Sequence, residues 1–209
     1  VAGSTGLIGE LLAQKLIQNE SFEKVILISR SQNSRIDGKV QYIKLEFEFL
    51  EDSLKGLSFT HVFCALGSTI KKAGSKEAFR KVDHDYVLSL AQCALNQGAV
   101  YFGMVTSMGA SASSLFFYNQ VKGEIEDNVK ALAINSIGIF QPSLLLGDRK
   151  ESRFGEAAGK VFFELFSWVF VGSFKAYRAI HASKVADAMV KDALEAPKGI
   201  RMISNEKML

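Results

Sequence analysis

Cysteine, histidine, proline and net charge are all scarce in this chain, and each scarcity excludes something. Among 209 residues there are two cysteines, Cys64 and Cys93. They make neither a CxxC pair nor the framework of a small secreted domain, so a disulfide scaffold is excluded and a reducing, cytoplasmic setting is expected. The three histidines, His61, His84 and His181, lie scattered without ligand-like spacing, which leaves nothing to build a zinc or iron site from. With 25 Lys and Arg against 22 Asp and Glu, the net charge of +3 is too small for a nucleic-acid footprint. No apolar run reaches the roughly 18 residues a bilayer-spanning helix needs. Proline occurs only at Pro142 and Pro197, and no linker-like stretch or internal repeat divides the chain, so residues 1–209 are expected to form one domain. There is no signal-peptide pattern, and Val1 falls inside what reads as a strand, so the first strand is expected to be truncated.

What is present is a folding composition, 48% hydrophobic and 22% charged. Short β-branched or apolar runs alternate with longer segments of helical period. The strands are expected at Val1-Ala2, Lys24 to Ser29, Val40 to Leu45, His61 to Ala65, Tyr101 to Thr106, Ser136 to Gln141 and Ile200 to Ile203. The helices are expected at Leu7 to Asn19, Lys76 to Asn96, Phe116 to Ala133, Gly155 to Phe170 and Ser183 to Glu195, the last with Ser183 as its N-cap. This alternation predicts an α/β fold with a doubly wound parallel sheet.

Gly3-Ser4-Thr5-Gly6-Leu7-Ile8-Gly9 follows a strand and opens a helix, the context in which a glycine pattern becomes a dinucleotide-binding turn of Rossmann type. Gly3 permits the tight turn, Gly6 lets the backbone approach a pyrophosphate, and Gly9 lets the helix pack closely. The free N–H groups and the positive end of the helix dipole then face the phosphates. Where an NAD-specific site carries an acidic residue after the second strand, this chain reads Ser29-Arg30-Ser31. An arginine pairs with a 2′-phosphate that a carboxylate would repel, so NADP(H) is favoured over NAD(H).

Ser107 follows the fifth strand, and Tyr118 and Lys122 stand four apart, on one face of a helix. Tyrosine is a poor acid near neutrality, but a lysine cation beside it stabilises the phenolate. Tyr118 is therefore the candidate acid/base, Lys122 tunes it and holds the nicotinamide ribose, and Ser107 donates a hydrogen bond to the reacting oxygen.

On these residues the chain resembles a short-chain dehydrogenase/reductase of the atypical type, in the Tat-interacting-protein oxidoreductase group. Four further stretches carry the resemblance: Phe63 to Ser68, Val82 to Tyr86, Tyr118 to Glu124 with its VKGE, and Asp148 to Arg153. The resemblance implies NADPH as ligand, a single domain with a small C-terminal substrate-side region, and cofactor contacts at Thr5, Gly6, Leu7, Ile8, Arg30, Ser31, Ala65, Leu66, Tyr118, Lys122, Leu145 and Arg153. Its members act as regulators as well as reductases, so an NADPH-binding scaffold is a second reading. A sugar-nucleotide epimerase or dehydratase is a third, disfavoured by the short stretch left after Pro142. The chain departs from the group at Arg30-Ser31, where paired arginines are usual, and at Gln141-Pro142-Ser143, where Arg-Pro-Gly is usual, which predicts a looser grip on the 2′-phosphate. Many short-chain reductases place a proton-relaying asparagine in the fourth helix. The nearest position here is Asp83, which stays outside the candidate set.

The expected partner is a small-molecule substrate, with a protein partner or a homodimer left open. The aromatic-rich stretch Val161 to Phe170 has four readings: pocket lining, dimer face, interfacial membrane contact or core.

Overall fold

The computed structural model of the protein describes residues 1–30, 34–147 and 178–209. A parallel sheet is assembled from β1 (Val25–Ser29), β3 (Val40–Lys44), β4 (His61–Cys64), β5 (Tyr101–Val105), β6 (Ser136–Gln141) and β9 (Gly199–Ser204), with β2 (Arg35–Asp37) antiparallel to β3 at one edge. The Val1-Ala2 stub lies between β1 and β4. Ala2 bridges Ile28 on one side and Cys64 on the other, its N–H donating to the Phe63 carbonyl at 2.8 Å and its own carbonyl accepting from Ala65 N–H at 2.9 Å. The strand order therefore runs outward in both directions from the stub, to β1, β3 and β2 on one side and to β4, β5, β6 and β9 on the other. A second, two-stranded parallel ladder pairs β7 (Leu145–Leu146) with β8 (Ile180–His181).

Both faces of the sheet are covered because successive strand residues point to opposite faces, and here both sets are apolar. Val62, Cys64, Phe102, Met104, Ile137 and Ile139 pack on one side with residues of α2 (Leu50–Leu54), α5 (Tyr86–Asn96) and α6 (Phe117–Lys130). Phe63, Tyr101 and Phe140 pack on the other side with Leu12 and Leu16 of α1 (Leu7–Gln18) and with Val185 and Met189 of α7 (Ala182–Glu195). The α/β fold and the strands expected from the sequence are present as a parallel sheet flanked by helices.

Two local expectations are corrected, and one strand is added. The helix expected over Lys76 to Asn96 is α4 (Lys76–Arg80) and α5 joined by a π-helical turn, Lys81–Asp85. β2 was not anticipated, because its residues are all exposed and show no apolar alternation; the signal that could have found it is Asp37-Gly38, a hairpin dipeptide, with Gly38 at φ 55°. The cap of α7 is His181, whose Nδ1 accepts from the Ser183 N–H at 3.3 Å, so Ser183 sits inside the helix instead of capping it. The helix expected over Gly155 to Phe170, and the aromatic stretch within it, lie outside the described residues.

Candidate functional site

In an open parallel sheet, ligands collect at the carboxyl ends of the strands where the strand order reverses. That place is the gap between the stub and β4, and the glycine turn and Ala65-Leu66 lie there. Gly3 adopts φ +80°, and a Cβ on it would stand 2.5 Å from the Ala65 carbonyl oxygen, so only glycine lets the turn lie against the end of β4. A Cβ on Gly9 would stand 2.0 Å from the Gly3 carbonyl. The third glycine thus seats the helix on the turn itself. Gly6 is the N-cap of α1, exposed and without a side-chain cap, which leaves the first-turn amides open to an anion. Thr5 is exposed and Leu7 half-buried, whereas Ile8 is part of the core and can offer a ligand only its backbone.

The loop after β4 links this turn to Asp83 and Lys122. A Cβ on Gly67 would stand 3.5 Å from Asp83 Oδ1 and 3.9 Å from Lys122 Nζ. Lys122 and Asp83 form an ion pair at 2.7 Å, with side chains 5% and 0% exposed, and the Ser68 N–H donates to the other Asp83 oxygen at 2.8 Å. Burial alone would pull Lys122 down, but the Asp83 carboxylate outweighs it, helped by the charge of a Tyr118 phenolate, and holds Lys122 above the ordinary lysine value. Burial pushes Asp83 up, against the pull of Lys122 and of the Ser68 amide. Tyr118 lies one turn before Lys122 on α6, with its ring 5.4 Å from that of Phe79 on α4.

Asp83 is the residue that reading the sequence left out. Its signal was its place in the Val82 to Tyr86 stretch, but its role depends on a partner far away in the chain. The π-helical turn carries it, and such turns are frequent at functional sites.

Ser107 stands just beyond β5, 7% exposed, and its hydroxyl has no hydrogen-bond partner among the described residues. The turn around it is fixed to β6, since Thr106 N–H donates to the Phe140 carbonyl at 2.8 Å and Met108 N–H to that of Pro142 at 2.9 Å. The loop that follows lies directly on α6 at Gly123, where a Cβ would stand 2.1 Å from the Ala112 nitrogen. Leu145 is half-buried in β7, and a Cβ on Gly147 would stand 2.9 Å from a Leu7 methyl, so this segment passes over the start of α1.

Arg30 is exposed immediately after β1. Ser31, Arg153 and the Asp148 to Arg153 stretch lie outside the described residues. At the departure Gln141, the side-chain amide donates to both oxygens of Glu126, at 2.9 and 3.1 Å. Among the described residues no three His, Cys, Asp or Glu side chains gather as a metal site, and no helix is long and apolar enough to cross a membrane.

No family model matches the chain. Protein HTATIP2 of Rattus norvegicus is 37% identical over 167 residues, covering 78% of this chain and 69% of that protein. The mitochondrial protein fmp52 of Emericella nidulans is 33% identical over 214 residues, covering 99% of this chain and 91% of its own length. Among solved structures, MoeE5 in complex with UDP-glucose and NAD is similar at a TM-score of 0.67 and 16% identity, over 97% of this chain and 74% of the other. A short chain dehydrogenase family protein of Francisella tularensis is similar at 0.66 and 17%, over 99% and 96%. At these identities the structures establish the fold. The mitochondrial fungal relatives overturn the expectation of a cytoplasmic protein. Two buried, reduced cysteines report a lack of disulfides and carry no address.

Proposed function

The chain belongs to the atypical short-chain dehydrogenase/reductase family of the HTATIP2 and FMP52 proteins, and on that premise we propose that it is an NADP(H)-dependent oxidoreductase acting on a carbonyl or alcohol substrate. The observation that carries this reading is the Ser107 hydroxyl, buried with no hydrogen-bond partner among the described residues. A buried polar group left unpaired costs about 1–3 kcal/mol. A substrate carbonyl oxygen beside Ser107 removes that cost and is polarised by the bond it accepts.

Tyr118 donates its proton to that oxygen in the reducing direction and recovers it from the alcohol in the other. Lys122, one turn along, favours the phenolate by its charge and would hold the nicotinamide ribose of a bound cofactor. When bound, the nicotinamide supplies or accepts the hydride. The cradle is Gly3, Thr5, Gly6, Leu7, the backbone of Ile8, Gly9, Ala65, Leu66 and Leu145, with Ser31 and Arg153 carried by the resemblance alone. The preference for NADP(H) rests on Arg30, which is exposed after β1 where an NAD-specific site would have a carboxylate.

A second reading is a binding module that uses NADPH occupancy to set its shape and its partners. The observation favouring it is the direct Asp83 contact at 2.7 Å, which compensates the Lys122 charge and so weakens its help to a phenolate. Calorimetry with NADPH and NADH, followed by NADPH oxidation over a panel of aldehydes and ketones, separates the readings. The oxidoreductase binds NADPH about tenfold or more tighter than NADH and oxidises it with at least one carbonyl. Tight binding without any oxidation selects the binding module, and no heat with either nucleotide overturns both readings.

A further inference from the structure

On α6, Tyr118, Lys122 and Glu126 follow one another at intervals of one turn and share a face. The first two belong to the proposed chemistry, and Glu126 is unaccounted for by it. Its side chain is almost wholly enclosed, at 3% exposure. Oε1 accepts from the Thr106 hydroxyl at 2.5 Å and from the Gln141 amide at 2.9 Å, and Oε2 accepts from the same amide at 3.1 Å. Among the described residues, the cation in reach is Lys130, 3.9 Å from Oε2. A carboxyl so deeply enclosed and held mainly by neutral donors is an expensive way to fill a core, and its bonds lead to particular places. Thr106 precedes Ser107. Gln141 ends β6, next to Pro142, whose carbonyl receives the Met108 N–H. One carboxyl therefore ties the two backbone segments that frame Ser107 to the helix that carries Tyr118.

We propose that Glu126 is a positioning residue, clamping the Ser107 turn onto α6 so that the Ser107 and Tyr118 hydroxyls converge on one oxygen. The catalytic consequence rests on the oxidoreductase reading above, while the mechanical one does not. If the clamp is cut, the turn keeps its two backbone bonds to β6 and Pro142, and the loop after it keeps the Ser111 N–H bond to the Asn119 carbonyl, but Thr106 and Gln141 lose their side-chain tie to α6. Gln141 then holds a donor without an acceptor. Glutamine at position 126 still offers an oxygen to Thr106, and the Gln141 amide can rotate to present its own oxygen, so the conservative change preserves the clamp.

The test is amide hydrogen exchange at residues 107–109 in the wild type and in Glu126→Ala, Glu126→Gln and Thr106→Val. Exchange is expected to rise about tenfold or more in Glu126→Ala and Thr106→Val and to stay within about threefold in Glu126→Gln. Should Glu126→Ala fail to fold, Thr106→Val cuts the Thr106 bond from the other side and leaves the Gln141 bonds in place. Unchanged exchange in Thr106→Val, or a rise in Glu126→Gln equal to that in Thr106→Val, overturns the proposal. In turnover, Glu126→Ala is expected to lower kcat by up to about 100-fold with NADPH affinity unchanged, and to do little in a Ser107→Ala background. Equal losses in both backgrounds would show that Glu126 does not act through Ser107. If the wild type reduces no carbonyl, the oxidoreductase reading fails alone, and the exchange experiment still decides on the clamp.

Discussion

Removing the Asp83 carboxylate leaves the Lys122 ammonium enclosed without its counter-charge. Asp83→Ala is therefore expected to cost about 3–5 kcal/mol in urea unfolding, the usual penalty for breaking a buried pair from one side. A loss below about 1 kcal/mol would show that Lys122 does not depend on Asp83. Glu126 makes a prediction about pH. Burial raises its pKa in the folded protein, against the Thr106 and Gln141 bonds and the Lys130 charge and aided by Asp127. Its contribution to stability is thus fully present below the unfolded glutamate value and declines as pH rises through the folded value. Glu126→Gln should accordingly compare better with the wild type at pH about 7 than at pH about 4, as read from urea midpoints; the opposite order would contradict the direction assigned to Glu126. At this scale the sequence alone singles out Tyr118, Lys122 and Ser107 as candidates, since two of them share a helix face and the third follows a strand. Asp83 and Glu126 were not legible as site residues, because each takes its meaning from partners brought to it by the fold.

Helix α6 combines functions that conflict locally. Gly123 in its interior costs about 1 kcal/mol of helix propensity relative to alanine, yet a Cβ there would collide with the Ser111-Ala112 backbone. Gly123→Ala is expected to lower stability by about 1–3 kcal/mol in spite of the better helix former, with a fall in Tm as the readout. A rise in Tm would mean that the loop after Ser107 can lift off the helix without cost. The turn between α4 and α5 shows the same tension in another form: a uniform helical period predicted one helix, and the structure inserts a π turn that delivers Asp83 to Lys122. Periodicity reads the apolar stripe of a helix well, but one extra residue in a turn barely disturbs that stripe. β2 escaped notice for a different reason, since an exposed edge strand buries nothing and leaves only its Asp37-Gly38 turn as a mark.

For the molecule as a whole, the alternation of strand and helix was legible because every strand flanked on both sides must be apolar on both sides, and the Ala2 stub, with Ile28 and Cys64 as neighbours, fixes where the order reverses. That reversal puts the glycine turn, the Gly67 loop, the Asp83–Lys122 pair and Tyr118 in one contiguous series, which no local pattern specifies. Compartment was not legible, as the mitochondrial relatives demonstrate. The central claim is that Tyr118 exchanges a proton with the substrate oxygen, and the most direct test is the steady-state rate of NADPH oxidation by wild type and Tyr118→Phe with the same carbonyl. The account predicts a rate lower by about 100- to 10,000-fold with NADPH binding retained; an unchanged rate in Tyr118→Phe would contradict it.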